Sequence, residues 1–398
     1  MKNIVLCIAA SLLFLAAGTI LAGPEDDAAL RSRARELAQQ FIITDGHVDV
    51  PYRLNKRMED ISRRTPWGDF DYERAKAGGL NAPFMSIYVP ARLQDGGAKA
   101  YADQLIDLVY GFTEQWPDKF AVATSPAEVR RQFAEGKVSL PMGMENGAPI
   151  EGKLENLQHF YDRGVRYITL AHSKSNHISD SSYDENRQWN GLSPFGEQLI
   201  AEMNRLGVMI DISHVTDSAF YDVIRLSRAP VIASHSSCRH FTPDWERNMS
   251  DEMIRTLGEH GGVICINFGS SFLKSEYQAS EKAVEKAISA YAKENNLDRN
   301  SETACDYSTN YRREHPVGTV ADVADHIDHV VQLAGIDHVA LGSDFDGVTC
   351  LPEGLQDASE YPNLIYELLR RGYSESDVEK ICGGNFMGVW EAIENAAE

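Results

Sequence analysis

Eight short β-rich runs alternate with helix-like segments along most of the chain, and this alternation constrains the possible fold more than any other feature. Most of the runs are continuously apolar, which is typical of parallel strands that are covered on both faces. The predicted strands cover residues 41–45, 82–89, 138–144, 166–171, 208–213, 230–234, 261–268 and 338–344.

The segments between these runs have the features of amphipathic helices. Residues 194–207 and 319–335 place apolar residues at helical spacing, and each segment ends on a glycine. Residues 216–230 begin at Thr216, a good N-cap residue, and end at a proline. Eight strands with intervening helices predict an α/β protein with a (β/α)8 TIM-type barrel. A doubly wound open sheet is the alternative, but no G-x-G-x-x-G motif follows the first strand to support it.

The barrel is expected to form a single catalytic domain over residues 23–398. The polar region 270–318 is too long for one connection between a strand and a helix, so we expect an insertion of one or two extra helices there, serving as a lid or an interface element. No internal repeat, low-complexity segment or linker divides the chain.

The first residues have the pattern of an export signal. Lys2 precedes the uncharged stretch 4–22, which ends in small residues and is followed by the polar sequence PEDD. This pattern predicts a signal peptide over residues 1–22 and an exported, periplasmic or secreted, protein. The alternative is an uncleaved segment that holds the protein at the membrane. No later stretch is long and apolar enough to span a bilayer, and no apolar tail suggests a lipid anchor.

Net charge and cysteine content bear on the possible partners of the protein and on the state of its thiols. The net charge of −21 argues against nucleic acid as a partner, because phosphate binding needs a basic face. Five cysteines follow the signal without C-x-x-C spacing. Exported proteins pair some of their cysteines, and an odd number leaves at least one thiol free.

Residues able to bind metal or move protons stand at the ends of six predicted strands. Any one of them would ordinarily be a cap or a solvated loop residue. In a barrel, however, the C-terminal ends of all strands meet at one mouth, where catalysis takes place. So many equivalent positions therefore indicate a common site, which comprises His47, Asp49, Glu145, His172, His214, His235 and Asp344.

The spacing of these residues favours metal ions. His47 and Asp49 are two apart on an extended strand, so their side chains point to the same side and can bind one ion. His214 and His235 come from neighbouring strands and could bind a second ion, with the two oxygens of Glu145 bridging the pair. Nitrogen and oxygen ligands of this kind suit Zn²⁺. Paired ions recur in hydrolases that activate a shared water.

The same residues lie in motifs that resemble the membrane (renal) dipeptidase family, zinc dipeptidases of peptidase family M19 with a metallo-dependent-hydrolase-like (β/α)8 barrel. In order from residue 45 to residue 348, the matching pieces are DGHVD, GMENG, RYITLAHS, IDISHV, SRAPVIASHSS, RN and GSDFDGV. The resemblance implies one zinc ion on His47 and Asp49, a second on His214 and His235, and Glu145 as the bridge.

The resemblance also implies roles for residues that bind no metal. His172 would bind substrate and stabilise the tetrahedral intermediate, and Asp344 would bind substrate and transfer protons. Arg247 would bind the terminal carboxylate of the substrate; because its spacing from His235 is slightly longer than in the family, Arg239 is the alternative. Lys174 stands where the mammalian enzyme has a cysteine, so the mammalian disulfides have no obvious counterpart.

The resulting hypothesis is a binuclear zinc dipeptidase, a metalloprotease whose substrates include dipeptides with a D-residue at the C-terminal side. Relatives suggest a homodimer. One alternative is another zinc amidohydrolase that acts on cyclic amides or β-lactams; a second is a non-catalytic metal-binding barrel. Many amidohydrolases use a carboxylated lysine as the bridge, and no lysine stands at a predicted strand end. The remaining histidines, such as His159, His326 and His329, are interpreted as ordinary surface residues without partners.

Overall fold

The computed structural model describes residues 24–398, and its centre is one sheet of eight parallel strands. The strands follow one another around the sheet in chain order. They are β1 (Ile43–Val48), β2 (Leu80–Tyr88), β3 (Met142–Glu145), β4 (Val165–Thr169), β5 (Met209–Asp211), β6 (Ile232–Ser236), β7 (Val263–Ile266) and β8 (Val339–Leu341).

The sheet closes into a barrel where β1 meets the residues that follow β8. The amide of Asp49 donates to the carbonyl of Phe345 at 2.8 Å, and the amide of Asp344 donates to the carbonyl of His47 at 3.1 Å. These two bonds lie at the C-terminal ends of the strands. Closure therefore brings Asp344 next to His47 and Asp49, and the (β/α)8 fold expected from the sequence is confirmed.

Helices cover the outside of the barrel. They are α1 (Pro24–Gln40), α2 (Val50–Lys56), α3 (Tyr72–Gly78), α4 (Ala98–Gln115), α5 (Pro126–Ala134), α6 (Leu154–Asp162), α7 (Pro194–Leu206), α8 (Asp217–Leu226), α9 (Asp251–Glu259), α10 (Ser270–Leu273), α11 (Ser275–Glu294), α12 (Glu302–Glu314), α13 (Val320–Ala334), α14 (Tyr361–Arg370), α15 (Glu375–Glu379) and α16 (Asn385–Asn395). Short 3₁₀ turns lie at Ala91–Leu93, Ala148–Ile150, Arg239–Phe241 and Ile336–His338, and a π-helical turn at Lys380–Gly384 precedes α16.

Polar side chains cap the three helices that the sequence predicted, and Thr216 is the cap that it named. The Thr216 side chain accepts the Ala219 amide at the start of α8, and Ser193 accepts the Gly196 amide at the start of α7. Thr319 and Asp322 form a reciprocal capping box at the start of α13. Such bonds satisfy amides that the first turn of a helix leaves free.

The predicted strand 138–144 is wrong in its first half. Val138–Ser139 pairs with Phe120–Ala121 in a separate two-stranded sheet, and the barrel strand β3 begins only at Met142. Pro141 separates the two parts. It has no amide to donate, although its carbonyl accepts the Met85 amide at 2.7 Å.

Apolar side chains fill the barrel below the strand ends. Phe84 of β2 and Tyr167 of β4 stack inside it, with ring centroids 5.4 Å apart. Phe386 and Trp390 of α16 pack against Phe84. This interior cluster closes the lower end of the barrel and leaves the upper, C-terminal end for polar groups.

The polar region between β7 and α13 contains one short helix, α10, and two long ones, α11 and α12. Tyr291 of α11 stacks on Tyr307 of α12 with ring centroids 3.6 Å apart, so these two helices pack against each other. The sequence predicted one or two helices in this place.

The predicted signal peptide, residues 1–22, lies outside the described residues. From residue 24 onward no helix combines the length and the apolar character that crossing a bilayer requires. All five cysteines of this part of the chain are free thiols.

The interpretation of the remaining histidines as surface residues without partners is wrong. His326 on α13 is fully buried; its Nδ1 accepts the Cys238 amide at 3.0 Å, and its Nε2 contacts the Leu273 carbonyl at 3.0 Å. His329 contacts the Asp251 carboxylate and His159 contacts the Asp103 carboxylate, both at 2.8 Å. Helical spacing reveals which face of α13 is buried but not which polar groups lie opposite that face.

His326 makes folding sensitive to acid. Burial lowers its pKa from 6.5 to about 4, so the folded protein keeps the ring neutral while the unfolded chain protonates it. The stability that the neutral ring contributes is complete above pH 6.5 and is lost as the pH falls towards 4, by ~3 kcal/mol in all. We expect His326→Gln, whose amide can make the same two bonds, to show a flatter decline over this range in urea unfolding. Parallel pH profiles for the two proteins would contradict this assignment.

Candidate metal centre

The carboxylate of Glu145 lies at the centre of the barrel mouth and is almost fully buried. Its Oε1 lies 3.1 Å from Nε2 of His214, 3.3 Å from Nε2 of His235 and 3.4 Å from Nε2 of His172. Its Oε2 lies 3.5 Å from Nε2 of His47, on the other side. Oε1 therefore faces three imidazoles, and Oε2 faces the single imidazole of His47.

The predicted ligands form three overlapping groups whose donor atoms lie within 4.8 Å of one another. These groups are His47 with Glu145 and His235, Glu145 with His172 and His214, and His47 with Asp49 and Asp344. The structure thus brings together all seven strand-end residues that the sequence singled out.

His47 is held in one orientation by Tyr167. The Tyr167 hydroxyl donates to the Gly46 carbonyl at 3.1 Å, so its oxygen accepts the Nδ1 proton of His47 at 2.8 Å. This arrangement directs Nε2 towards Asp49 and Glu145, with 3.5 Å to a carboxylate oxygen of each. Tyr167 approaches so closely because Gly143 has no side chain; a Cβ there would lie 1.9 Å from the Tyr167 ring.

His235 has an equivalent support made of two residues. Its Nδ1 lies 2.7 Å from the Ser234 hydroxyl, which donates in turn to the Asp211 carboxylate at 2.7 Å. These hydrogen bonds place the proton on Nδ1 of His235. Its Nε2 therefore carries a lone pair and lies 2.8 Å from Nε2 of His214. Hydrogen bonds of this kind fix the tautomer and the orientation of metal-binding histidines.

Three residues at the strand ends adopt left-handed backbone conformations. They are Asn146 with φ of 77°, His214 with φ of 69° and Asp344 with φ of 62°. Residues other than glycine adopt such angles at a cost of order 1–3 kcal/mol, and they are concentrated at functional sites. For His214 and Asp344, this conformation directs the side chain over the mouth of the barrel.

The centre stabilises positive charge at the His47 position. Burial alone would lower the pKa of His47, but Tyr167 and Glu145 outweigh it and raise the pKa well above its usual value. Burial lowers the pKa of His214 and His235 well below the usual value, so these two rings are neutral at pH 7. Neutral imidazoles beside a buried carboxylate are the form in which these side chains bind a metal ion.

Unpaired polar atoms in the centre fit a bound cation. Nε2 of His47 and Oδ1 of Asp49 are buried and have no hydrogen-bond partner among the described residues. Such atoms cost free energy unless a ligand or ion satisfies them. Histidine nitrogens with carboxylate oxygens form a donor set that suits Zn²⁺ and related divalent ions.

Asp344 lies beside Asp49, where the barrel closes. A Cβ on Gly347 would lie 2.2 Å from Oδ2 of Asp49 and 2.3 Å from Oδ1 of Asp344, so the two carboxylates flank the same glycine. Asn267 donates to Oδ2 of Asp344 at 2.8 Å. Burial raises the pKa of Asp344 to about 7; His47 opposes this rise, and Asp49 and Glu145 add to it.

Asp346, two residues after Asp344, connects two loops instead of entering the cluster around Glu145. Its carboxylate accepts the Asp69 amide at 2.7 Å and pairs with Arg53 at 3.0 Å, and no helix starts beside it, since α14 begins at Tyr361. The structure therefore uses Asp346 to join two loops at the barrel mouth.

Arg247 is buried rather than exposed at the surface, with 3% of its area accessible. It donates to the Ser236 hydroxyl at 2.7 Å and to the His235 carbonyl at 2.8 Å, and its guanidinium packs on the Phe272 ring. Arg239, the alternative, donates to both carboxylate oxygens of Asp217 and to two backbone carbonyls. The geometry thus favours Arg247 as the arginine of this site.

A cavity of about 580 Å³ opens above the centre. Burial lowers the pKa of His172, whose ring lies in the cavity wall against Tyr88, with centroids 4.7 Å apart. The remaining lining residues include Tyr52, Lys56, Tyr183, Phe272 and Glu281. A space of this size accommodates a small ligand.

Sequence reasoning missed the supporting residues Tyr167, Ser234, Asp211 and Asn267. Tyr167 is inside a run that is otherwise apolar, where a tyrosine is expected to be a core residue. Asp211 carried a usable signal, because a carboxylate within the apolar run VMIDIS needs a partner inside the barrel.

Known proteins resemble this chain along most of its length. The chain matches the family model for membrane dipeptidase (peptidase family M19) over residues 31–398. The dipeptidase aclJ of Aspergillus oryzae is 33% identical over 386 residues, which span 92% of this chain and 82% of that protein.

Two solved structures share the fold at comparable identity. The probable dipeptidase PvdM from Pseudomonas aeruginosa is 28% identical, with a TM-score of 0.79 over 93% of this chain and 100% of that chain. A metallopeptidase from Rhodobacter sphaeroides, liganded with a phosphinate mimic of the dipeptide L-Ala-D-Ala, is 28% identical, with a TM-score of 0.71 over 89% of this chain and 99% of that chain.

The Tyr167 hydroxyl should tune metal binding without contacting the metal. We expect Tyr167→Phe to weaken Zn²⁺ affinity by roughly 10–100-fold, because Nδ1 of His47 loses the partner that fixes its tautomer. Competition with a chromogenic chelator measures this change. Tyr110→Phe removes a distant hydroxyl, which donates to the Arg163 carbonyl, and serves as the matched control. Equal affinity of Tyr167→Phe and the unmodified protein would contradict the role given to Tyr167.

Proposed function

The chain belongs to the membrane dipeptidase family, peptidase family M19, and on that premise we propose that it is a binuclear zinc dipeptidase that hydrolyses the peptide bond of dipeptides. The observation that carries the proposal is the division of the Glu145 carboxylate, with Oε2 towards His47 and Oε1 towards His214 and His235. A carboxylate with its two oxygens in separate ligand groups suits a bridge between two ions.

The proposed metal ligands are His47 and Asp49 for one zinc ion and His214 and His235 for the other, with Glu145 shared. When bound, a zinc pair would supply Lewis acidity, which lowers the pKa of water towards neutrality. The chain contributes the orientation of these ligands through Tyr167 and through the Ser234–Asp211 pair.

Asp344 is the proposed proton carrier. Its Oδ2 is held by Asn267, while Oδ1 lies near Asp49 at the barrel mouth. A carboxylate in this position can accept the proton that the attacking water loses and deliver it to the leaving amine. Since Asp344 comes from the closing seam of the barrel, its position depends on the same backbone bonds that place His47 and Asp49.

His172 and Arg247 are the residues proposed to stabilise negative charge on the substrate. His172 lines the cavity and contacts Glu145, so its ring can donate to the oxygen that becomes negative as the carbonyl is attacked. Arg247 places a buried positive charge behind Phe272, and its Nε atom has no hydrogen-bond partner among the described residues. A guanidinium there would favour substrates that end in a free carboxylate.

The same site is proposed to accept a D-residue at the C-terminal side of the dipeptide. The structural similarity to the Rhodobacter sphaeroides enzyme, with its phosphinate mimic of L-Ala-D-Ala, supports this part of the proposal. The alternative of an amidohydrolase for cyclic amides has less support, because that class often uses a carboxylated lysine as the bridge, whereas the proposed bridge here is Glu145.

Metal removal tests the proposal as a whole. We expect chelation to abolish hydrolysis of L-Ala-L-Ala and L-Ala-D-Ala, and two equivalents of Zn²⁺ per chain to restore it, because the unpaired ligand atoms need the cations. Amine release together with metal content measured by mass spectrometry follows both steps. A metal-free protein that still cleaves these dipeptides at full rate would contradict the mechanism, and faster hydrolysis of a cyclic amide would favour the alternative.

Asp344→Asn separates proton transfer from metal binding. The amide keeps the shape of the side chain but cannot accept a proton, so we expect kcat to fall by roughly 10²–10⁴-fold with both metal ions retained. Asp337→Asn, at an aspartate that pairs with Lys380 on the surface, is the matched control. Full turnover of Asp344→Asn with normal metal content would remove Asp344 from the mechanism.

A further inference from the structure

A second cavity of about 310 Å³ lies beside the candidate metal centre and shares Tyr52, Lys56 and Asp346 with the wall of the first cavity. We call it the basic pocket, because five of its lining residues are cations and only two are anions. The cations are Arg53, Lys56, Arg57, Arg299 and Arg312, and the anions are Glu59 and Asp346.

Ion pairs within the basic pocket leave most of its positive charge uncompensated. Arg53 alone pairs with both anions, at 2.7 Å to Glu59 and 3.0 Å to Asp346. Among the described residues, no carboxylate lies within salt-bridge distance of the other four cations, which are Lys56, Arg57, Arg299 and Arg312. Four such cations around one cavity are notable in a chain with a net charge of −21.

Arg312 is the least satisfied of the four. Its side chain makes no hydrogen bond to any described residue, and its Nε is buried without a partner. By contrast, Arg57 packs on the Trp67 ring at 3.8 Å and donates to the Asn300 carbonyl at 2.8 Å. A partly buried guanidinium without an acceptor costs free energy unless an anion occupies the space in front of it.

Two parts of the chain supply the basic pocket. Lys56 ends α2, which directly follows the metal ligands of β1, whereas Arg299 and Arg312 come from the insertion between β7 and β8. The ammonium of Lys56 lies 3.7 Å from the Tyr52 ring, on the wall that the two cavities share. A side chain that extends from a molecule at the metal centre towards the basic pocket would pass along this wall.

We propose that the basic pocket binds the carboxylate side chain of acidic dipeptides, so that a dipeptide containing glutamate is a preferred substrate of the metal centre. The inference rests on the proposed dipeptidase function and names a substrate class for it. Guanidinium groups bind carboxylates through paired, charge-assisted hydrogen bonds. The insertion would then serve specificity, by bringing Arg299 and Arg312 to the edge of the barrel mouth.

The test compares substrates that differ by one charge at nearly constant size. The metal-loaded protein is assayed with Ala-Glu against Ala-Gln and with Glu-Ala against Gln-Ala. We expect a lower KM for the glutamate peptide in at least one pair, by about tenfold, because a hydrogen bond to a charged group is worth about that factor. We expect Arg312→Gln to remove most of this difference through KM, with kcat and the glutamine peptides unchanged.

Two further variants provide a second substitution in the basic pocket and a control outside it. Arg299→Gln changes a second cation of the basic pocket and should reduce the same preference, which covers the case of an unstable Arg312→Gln protein. Arg255→Gln, at an exposed arginine of α9 outside both cavities, is the matched control and should keep the full preference.

The possible failures have different signatures. Hydrolysis of glutamine and glutamate peptides with equal KM would overturn the inference and leave the dipeptidase function standing. Inhibition by inorganic phosphate that Arg312→Gln relieves, without any preference for glutamate, would assign the pocket to a free anion and also overturn the inference. Absence of dipeptide hydrolysis by the metal-loaded protein would overturn the proposed function and the inference together.

Discussion

The buried carboxylate of Glu145 is the group on which the remainder of the site depends. A negative charge in the interior of a barrel needs positive charge nearby, and the structure surrounds Glu145 with imidazoles from four different strand ends rather than with lysine or arginine. The imidazoles of His214 and His235 are neutral at pH 7 and do not compensate this charge by themselves, whereas a bound cation would. A bound metal ion would therefore account for this arrangement. Without a cation, the buried carboxylate would cost free energy of folding.

The barrel supplies the geometry that such a centre requires. Parallel strands end at one rim, and the bonds that close the seam join His47 and Asp49 to Asp344 and Phe345. The hydrogen bonds that close the barrel therefore also hold these residues of the site next to one another. Below the rim, Tyr167 belongs both to the apolar interior and to the support of His47, so packing in the barrel fixes the orientation of a proposed metal ligand.

The sequence was sufficient to predict the candidate site residues at the rim, because strand ends can be recognised from apolar runs and the polar residues that follow them. It was not sufficient for contacts that depend on three-dimensional proximity. Arg247 lies in a polar segment, which indicates a surface position, yet it is buried against the end of β6. His326 reads the same way on a helix and is fully buried, while the proline that splits the predicted strand 138–144 acts through a missing amide. The basic pocket joins residues from distant parts of the chain, which spacing alone cannot reveal.

The most direct test of the central claim is anomalous diffraction at the zinc edge from crystals of the zinc-loaded protein. Two peaks about 3.5–4 Å apart, each within bonding distance of one oxygen of Glu145, are the predicted result. A single peak, or two peaks of which only one contacts Glu145, would contradict the claim that two metal ions share the Glu145 carboxylate.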